Sequence, residues 1–125
     1  MEKKLLLIED DPVIREALAE LLKIEGYRVD AVSNGQEALR FLKAASVLPN
    51  LIILDLMMPI MDGFQFRNEQ RQNETIAGIP VVIMSADGNV TQKQERIGSL
   101  GYLKKPIDID LALRTIDSLF ERTFG

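Results

Sequence analysis

The sequence contains no cysteine and no histidine. That excludes cysteine nucleophiles, thiolate and imidazole zinc sites, disulfide frameworks and every catalytic scheme built on a histidine base. A long apolar run is also missing. The stretch Leu5 to Ile8 behind Met1-Glu2-Lys3-Lys4 is far shorter than the roughly 7–15 residues of a signal-peptide core, so a cytoplasmic protein that begins with a strand is expected, with no membrane partner. An excess of positive charge is lacking too. The net charge of −4 gives no general attraction to nucleic acid, whose binding draws its energy from clustered Lys and Arg. There is no low-complexity tract, no Gly/Ser-rich linker and no repeat that would indicate a solenoid. With 125 residues, 46% hydrophobic and 27% charged, the chain has the size and balance of one folded domain spanning residues 1–125. Any chemistry it performs must use carboxylates, hydroxyls and lysine.

Short apolar, partly β-branched runs alternate with amphipathic stretches. Leu5 to Ile8, Val29 to Val32, Leu51 to Leu54 and Val81 to Met84 read as buried parallel strands, and Gly101 to Leu103 as a weaker fifth. Between them, Val13, Ile14, Ala17, Leu18, Leu21 and Leu22 form one helical stripe that ends near Gly26. Ala38, Leu39 and Leu42 mark a second helix. A third starts near Asp62-Gly63-Phe64 and runs to about Asn73, and a last one carries Ile109, Ala112, Leu113, Ile116, Leu119 and Phe120 on one face. Between Asn89 and Gly98 only Val90 and Ile97 are apolar anchors, so the fourth helix is expected to be short and weakly packed. Strands alternating with helices imply right-handed crossovers, hence an α/β doubly wound parallel sheet. Five strands in so short a chain suit the flavodoxin-like order 2-1-3-4-5, in which ligands bind beyond the carboxyl ends of the strands.

In that order Asp10 and Asp11 end the first strand, Asp55 the third and Ser85 the fourth, and Lys105 follows the fifth. All converge on one sheet edge, whereas strand two ends in an ordinary turn sequence, Ser33-Asn34-Gly35. Three carboxylates about 4–5 Å apart repel by roughly 3–4 kcal/mol per pair at an effective dielectric near 20, which calls for a cation. Mg²⁺ suits an oxygen-only donor set and completes its shell with waters and phosphate oxygens. A carboxylate beside it can attack phosphorus to form an aspartyl phosphate, with Ser85 and Lys105 gripping the transferred oxygens. Each residue has a plainer reading taken singly: Asp11 before Pro12 is a good helix N-cap, compatible with a metal role for Asp10, and Asp55 could be a turn residue. Ser85 could be a loop hydroxyl, Lys105 a solvated charge and Tyr102 a packed aromatic. Their joint placement is what points to a site.

Taken together, Glu9-Asp10-Asp11, Asp55-Leu-Met-Met-Pro59 with Asp62-Gly63, Ser85-Ala86 and Gly101-Tyr102-Leu-Lys-Lys105-Pro106 resemble the receiver domain of two-component response regulators over essentially the whole chain. The resemblance implies that Asp55 accepts a phosphoryl group from a phosphohistidine on a partner histidine kinase or histidine phosphotransfer protein. It implies Mg²⁺ held by Asp11, Asp55 and the backbone carbonyl of Met57, with Asp10 acting mainly through water. It further implies that Lys105 pairs with the phosphoryl group, across a cis Lys105-Pro106 bond, and that Ser85 and Tyr102 move as switch residues. Met57 and Asp87 would flank the phosphoryl group and tune its hydrolysis. The reader would be a downstream protein target or an output domain outside this chain, through the surface of helix four, strand five and helix five. Two features depart from the family pattern. The stretch from Ser85 to Gly98 is about two residues shorter than usual, and Ser85 replaces the commoner threonine, losing a methyl group that restricts rotamers.

Two other functions fit parts of the sequence. A receiver-like interaction module that signals without phosphorylation would suit the odd fourth helix. A phosphohydrolase with an aspartyl intermediate would ordinarily need an acid/base residue just after the nucleophile, where Leu56 and Met57 stand. The expectation is therefore a phosphoacceptor switch rather than a multiple-turnover enzyme.

Overall fold

The computed structural model describes residues 2–86 and 88–125. Asp87, named above as a neighbour of the phosphoryl group, lies outside them. Ten elements alternate without exception: β1 (Lys4–Ile8), α1 (Pro12–Ile24), β2 (Arg28–Val32), α2 (Gly35–Ala44), β3 (Leu51–Asp55), α3 (Gly63–Arg71), β4 (Val81–Ser85), α4 (Val90–Ile97), β5 (Gly101–Lys104) and α5 (Ile109–Phe124). The strands form one parallel sheet in the order β2-β1-β3-β4-β5, as the alternation predicts.

Because side chains alternate across a strand, the sheet has two apolar faces. Leu5, Leu7, Leu51, Ile53, Val82 and Met84 pack with Leu18 and Leu22 of α1 and Ala112, Ile116 and Phe120 of α5. Leu6, Ile8, Ile52, Leu54, Val81 and Ile83 pack with Ala38 and Leu42 of α2, Phe66 of α3 and Ile97 of α4. β3 and β4 are buried along their whole length, which is why they read as continuous apolar runs.

Helix entry is set by side-chain caps at four of the five helices. Asp11 accepts from the Val13 and Ile14 amides, Asn34 from Glu37, Asp62 from Gln65 in a reciprocal capping box, and Asp108 from Leu111. At the start of α4, Asn89 makes no side-chain cap hydrogen bond and sits in the left-handed region at φ 60°. One expectation needs correcting. The α1 stripe was placed on Val13, Ile14, Ala17, Leu18, Leu21 and Leu22, but the buried residues are Leu18, Ala19 and Leu22, while Val13 is 75% exposed. The helix is rotated so that Ala19 meets the core, and Val13, in the first turn, is left to solvent.

The register aligns the strands' carboxyl ends. Ile8 pairs with both Val32 and Leu54, Asp55 with Met84, and Ser85 with Lys104. The residues just past these pairs are therefore brought to one corner.

Candidate functional site

The corner is built from the ends of β1, β3, β4 and β5. Asp55, 1% exposed, is the last residue of β3, and its Oδ1 accepts the Met57 amide at 3.1 Å. Its Oδ2 lies 3.0 Å from Lys105 Nζ, and the same ammonium lies 2.8 Å from Glu9 Oε1. Apart from Lys105, neither oxygen finds a hydrogen-bond donor among the described residues. Lys105 reaches the corner from just past β5, where its own amide donates to the Ser85 carbonyl at 2.9 Å and the Lys105-Pro106 peptide is cis.

Glu9, Asp10 and Asp55 each offer a carboxylate oxygen within 4.8 Å of the other two. This corrects the expected acidic set. Asp11 is committed as the α1 cap, with Oδ1 2.9 Å from the Val13 amide, and it is exposed and outside the cluster. Its place is taken by Glu9, which is fully buried, continues the β1 ladder by donating its amide to the Val32 carbonyl, and uses Oε2 to accept the Asp11 amide at 3.0 Å. The shift by one residue has a physical reason: Asp11-Pro12 forms the first turn of α1, so the two acids aimed at the corner come from immediately before it.

The electrostatics reflect crowding. Asp55 is pushed up to about 7, first by burial and then by the carboxyls of Asp10 and Glu9, with Lys105 only partly offsetting them. Asp10 goes the other way: burial raises it, but contacts with the Asp55 and Glu9 carboxyls, its own backbone and the Lys105 charge together hold it below the usual range. Burial pushes Lys105 down, and the two acids it touches more than reverse that. Crowding thus favours the protonated form of Asp55 over that of Asp10. An all-oxygen donor set, one lysine for three acids and the raised Asp55 carboxyl together fit a small divalent cation such as Mg²⁺.

Ser85 closes β4, 1% exposed, and its Oγ accepts from Lys93 Nζ at 3.0 Å. Lys93, from α4, is a residue that sequence reasoning missed; the only available signal was a lysine one turn into a helix that opens beside Ser85. Tyr102, on β5 opposite Ile83, is half-buried against the core cluster that includes Ile83, Phe66 and Ile97, and also lines a groove with Lys104, Pro106 and Leu111. Met57 is 68% exposed, two residues past Asp55. Gly63 is required where α3 meets this corner: a Cβ there would stand 2.8 Å from the Asp55 carbonyl oxygen and from Leu56 Cα.

Comparison with known proteins agrees with this geometry. The family model of the response regulator receiver domain matches residues 5–117. The probable transcriptional regulator ycf29 of Porphyra purpurea is 36% identical over 98% of this chain and 58% of its own length. The DNA-binding dual master transcriptional regulator RpaA of Synechocystis sp. is 34% identical over 96% of this chain and 50% of its own. The chain thus spans about half the length of the curated relatives it matches. Among solved structures, the receiver domain of a signal transduction histidine kinase from Syntrophus aciditrophicus superposes with a TM-score of 0.84 at 27% identity, covering 98% of this chain and 92% of that one. The receiver domain of a sensor histidine kinase from Pseudomonas aeruginosa, with a magnesium ion coordinated in its active-site cleft, gives 0.81 at 25% identity, covering 97% and 99%.

Proposed function

The chain belongs to the response regulator receiver domains, and from that premise we propose that it is a phosphoacceptor switch modified on Asp55 by a partner histidine kinase or histidine phosphotransfer protein. The observation that carries this reading is the Lys105 ammonium held between Asp55 and Glu9 at 3.0 and 2.8 Å, with Asp10 completing the acidic corner.

In the proposed reaction an Asp55 carboxylate oxygen bonds to phosphorus while the bond from phosphorus to the donor imidazole nitrogen breaks, its electron pair leaving with the imidazole. Asp10, Asp55 and the Met57 backbone carbonyl would hold Mg²⁺, with Glu9 braced by Lys105 and the Asp11 amide at its side. The ion would neutralise the carboxylates and draw in a phosphate oxygen. Lys105, already within hydrogen-bonding distance of Asp55, would follow the charge onto the phosphoryl oxygens, and Ser85 would donate its hydroxyl to another. Asp11 would act only as the helix cap. Met57, exposed beside the acceptor, would tune hydrolysis of the phosphoryl group. Tyr102, half-buried between core and groove, would turn inward when Ser85 moves, which would alter the face formed by α4, β5 and α5. The reader of that face would be a downstream protein target or an output domain. No nucleic-acid contact is assigned to this domain, and among the described residues no helix is long and apolar enough to cross a membrane.

The decisive experiment is intact-mass spectrometry with Mg²⁺ and a small acyl phosphate. Wild type should gain one phosphoryl group and Asp55→Asn none. No gain in wild type, confirmed with a labelled kinase as donor, or an equal gain in the variant, would remove the reading.

A further inference from the structure

The proposed reaction uses Glu9, Asp10, Asp55, Ser85 and Lys105 and leaves Lys93 without a part. Lys93 is the fourth residue of α4, half-buried, and its ammonium donates to the hydroxyl oxygen of Ser85 at 3.0 Å. Ser85 is therefore held from two sides, its carbonyl by the Lys105 amide and its hydroxyl by α4.

The two ends of α4 differ sharply. At the far end Gly98 adopts φ 70°, and the amides of Gly98 and Ser99 both donate to the Gln94 carbonyl, at 2.7 and 3.2 Å. Two guanidinium groups from α3 reinforce that end: Arg67 Nε donates to the Ile97 carbonyl at 2.8 Å, Arg71 Nη1 to the Arg96 carbonyl at 3.1 Å, and Arg71 Nη2 also to Ile97. Cations at a helix C-terminus also complement its dipole. Ile97 is buried, whereas the near end opens at an uncapped, left-handed Asn89 and an only half-buried Val90. One end is anchored, and the Lys93–Ser85 bond ties the other to the sheet.

We infer that Lys93 is a positioning residue for the phosphoryl group, orienting the Ser85 hydroxyl and carrying its movement into the N-terminal end of α4. Serine lacks the methyl group that would restrict χ1 in threonine, so its hydroxyl needs an external restraint. A dianionic phosphoryl group on Asp55 would draw both the Ser85 hydroxyl and the cation behind it. Lys93 must then follow Ser85, and the N-terminal end of α4 moves with it while Arg67 and Arg71 hold the other. This inference rests on the phosphoacceptor reading.

The test compares wild type, Lys93→Met and Lys93→Arg as the full chain with Mg²⁺, with and without a small acyl phosphate. Intact mass gives occupancy, and hydrogen exchange follows the segment 88–98. All three proteins should be phosphorylated. In wild type and Lys93→Arg, phosphorylation should change exchange in the segment; in Lys93→Met that change should vanish, with unphosphorylated exchange already about tenfold faster. A phosphorylation-dependent change in Lys93→Met equal to wild type, or no rescue by arginine, overturns the inference. If wild type gains no mass from the acyl phosphate or from a labelled kinase, the underlying reading falls and this one with it, an outcome the mass spectrum identifies without the exchange data.

Discussion

The acidic corner and helix α4 sit next to each other and are built in opposite ways. The corner stands on β3 and β4, buried along their whole length, and Asp55, its lysine partner and Glu9 are all withdrawn from solvent. α4 has one buried residue, Ile97, and lacks the side-chain cap that the other four helices possess. The contrast suits a switch. Bond-making needs fixed geometry, which full burial supplies, whereas a shape that phosphorylation can bias must lie within a few kcal/mol of another, which sparse packing supplies.

The largest effect on this contrast should come from removing the cation of the rigid corner. Lys105→Met leaves Glu9 and Asp55 buried without their shared partner, and in EDTA at pH 8 it should cost about 3–5 kcal/mol in urea unfolding, besides slowing phosphoryl incorporation. An unchanged unfolding midpoint would mean that the corner is solvated and that the comparison is wrong.

Next in size is the pH response of the metal-free protein. The folded-state value for Asp55, about 7, lies above the ordinary 3.8, so between these values the folded protein holds the proton that the unfolded chain releases. Stability must then fall as pH rises through that window, by at most about 1.4 kcal/mol per pH unit, and level off above it. Asp55→Asn should flatten the decline. Mg²⁺ should reverse it at pH 8 and bind more weakly as pH drops below 7. A metal-free stability that rises across the window, with wild type and Asp55→Asn parallel, would show that the corner carries no excess repulsion.

A third effect, of about 2 kcal/mol, is expected for Arg67→Ala, which strips buried hydrogen bonds from the Ile97 carbonyl and from Gln70. Exchange in the segment 94–98 should rise more than in the strands. Equal increases everywhere would deny that this end of α4 is a local anchor.

How much of this could be read from the chain alone follows the same division. The strands were legible because full burial writes itself as unbroken apolar runs, and Asp55, Ser85 and Lys105 were legible because parallel register places strand ends together. Glu9 was missed because two acids in a row, Asp10 and Asp11, looked like the natural pair, although the cap at Asp11-Pro12 already committed the second. The face of α1 was misjudged because Val13 fits the helical period but is left to solvent. Lys93 could not be foreseen, since its role depends on how a four-residue connection aims α4. The left-handed Ile60, at φ 69°, is likewise set by the tertiary path between β3 and α3, with no glycine to announce it.

The smallest prediction separates capped from uncapped helices by one substitution made twice. Asp62 is extended at φ −75° and its carboxylate takes the Gln65 amide at 2.8 Å, so Asp62→Thr keeps a competent cap and should change stability by only a few tenths of a kcal/mol. Asn89 makes no cap hydrogen bond and occupies φ 60°, ψ 35°, where a β-branched residue is strained. Asn89→Thr should therefore cost about 1–2 kcal/mol although threonine is a good capping residue, while Asn89→Gly should be within a few tenths of wild type. Thermal unfolding of the four proteins checks the set. If threonine is tolerated at both positions, α4 can adopt an ordinary capped start, and the N-terminal end of α4 is no freer to move than that of its neighbours.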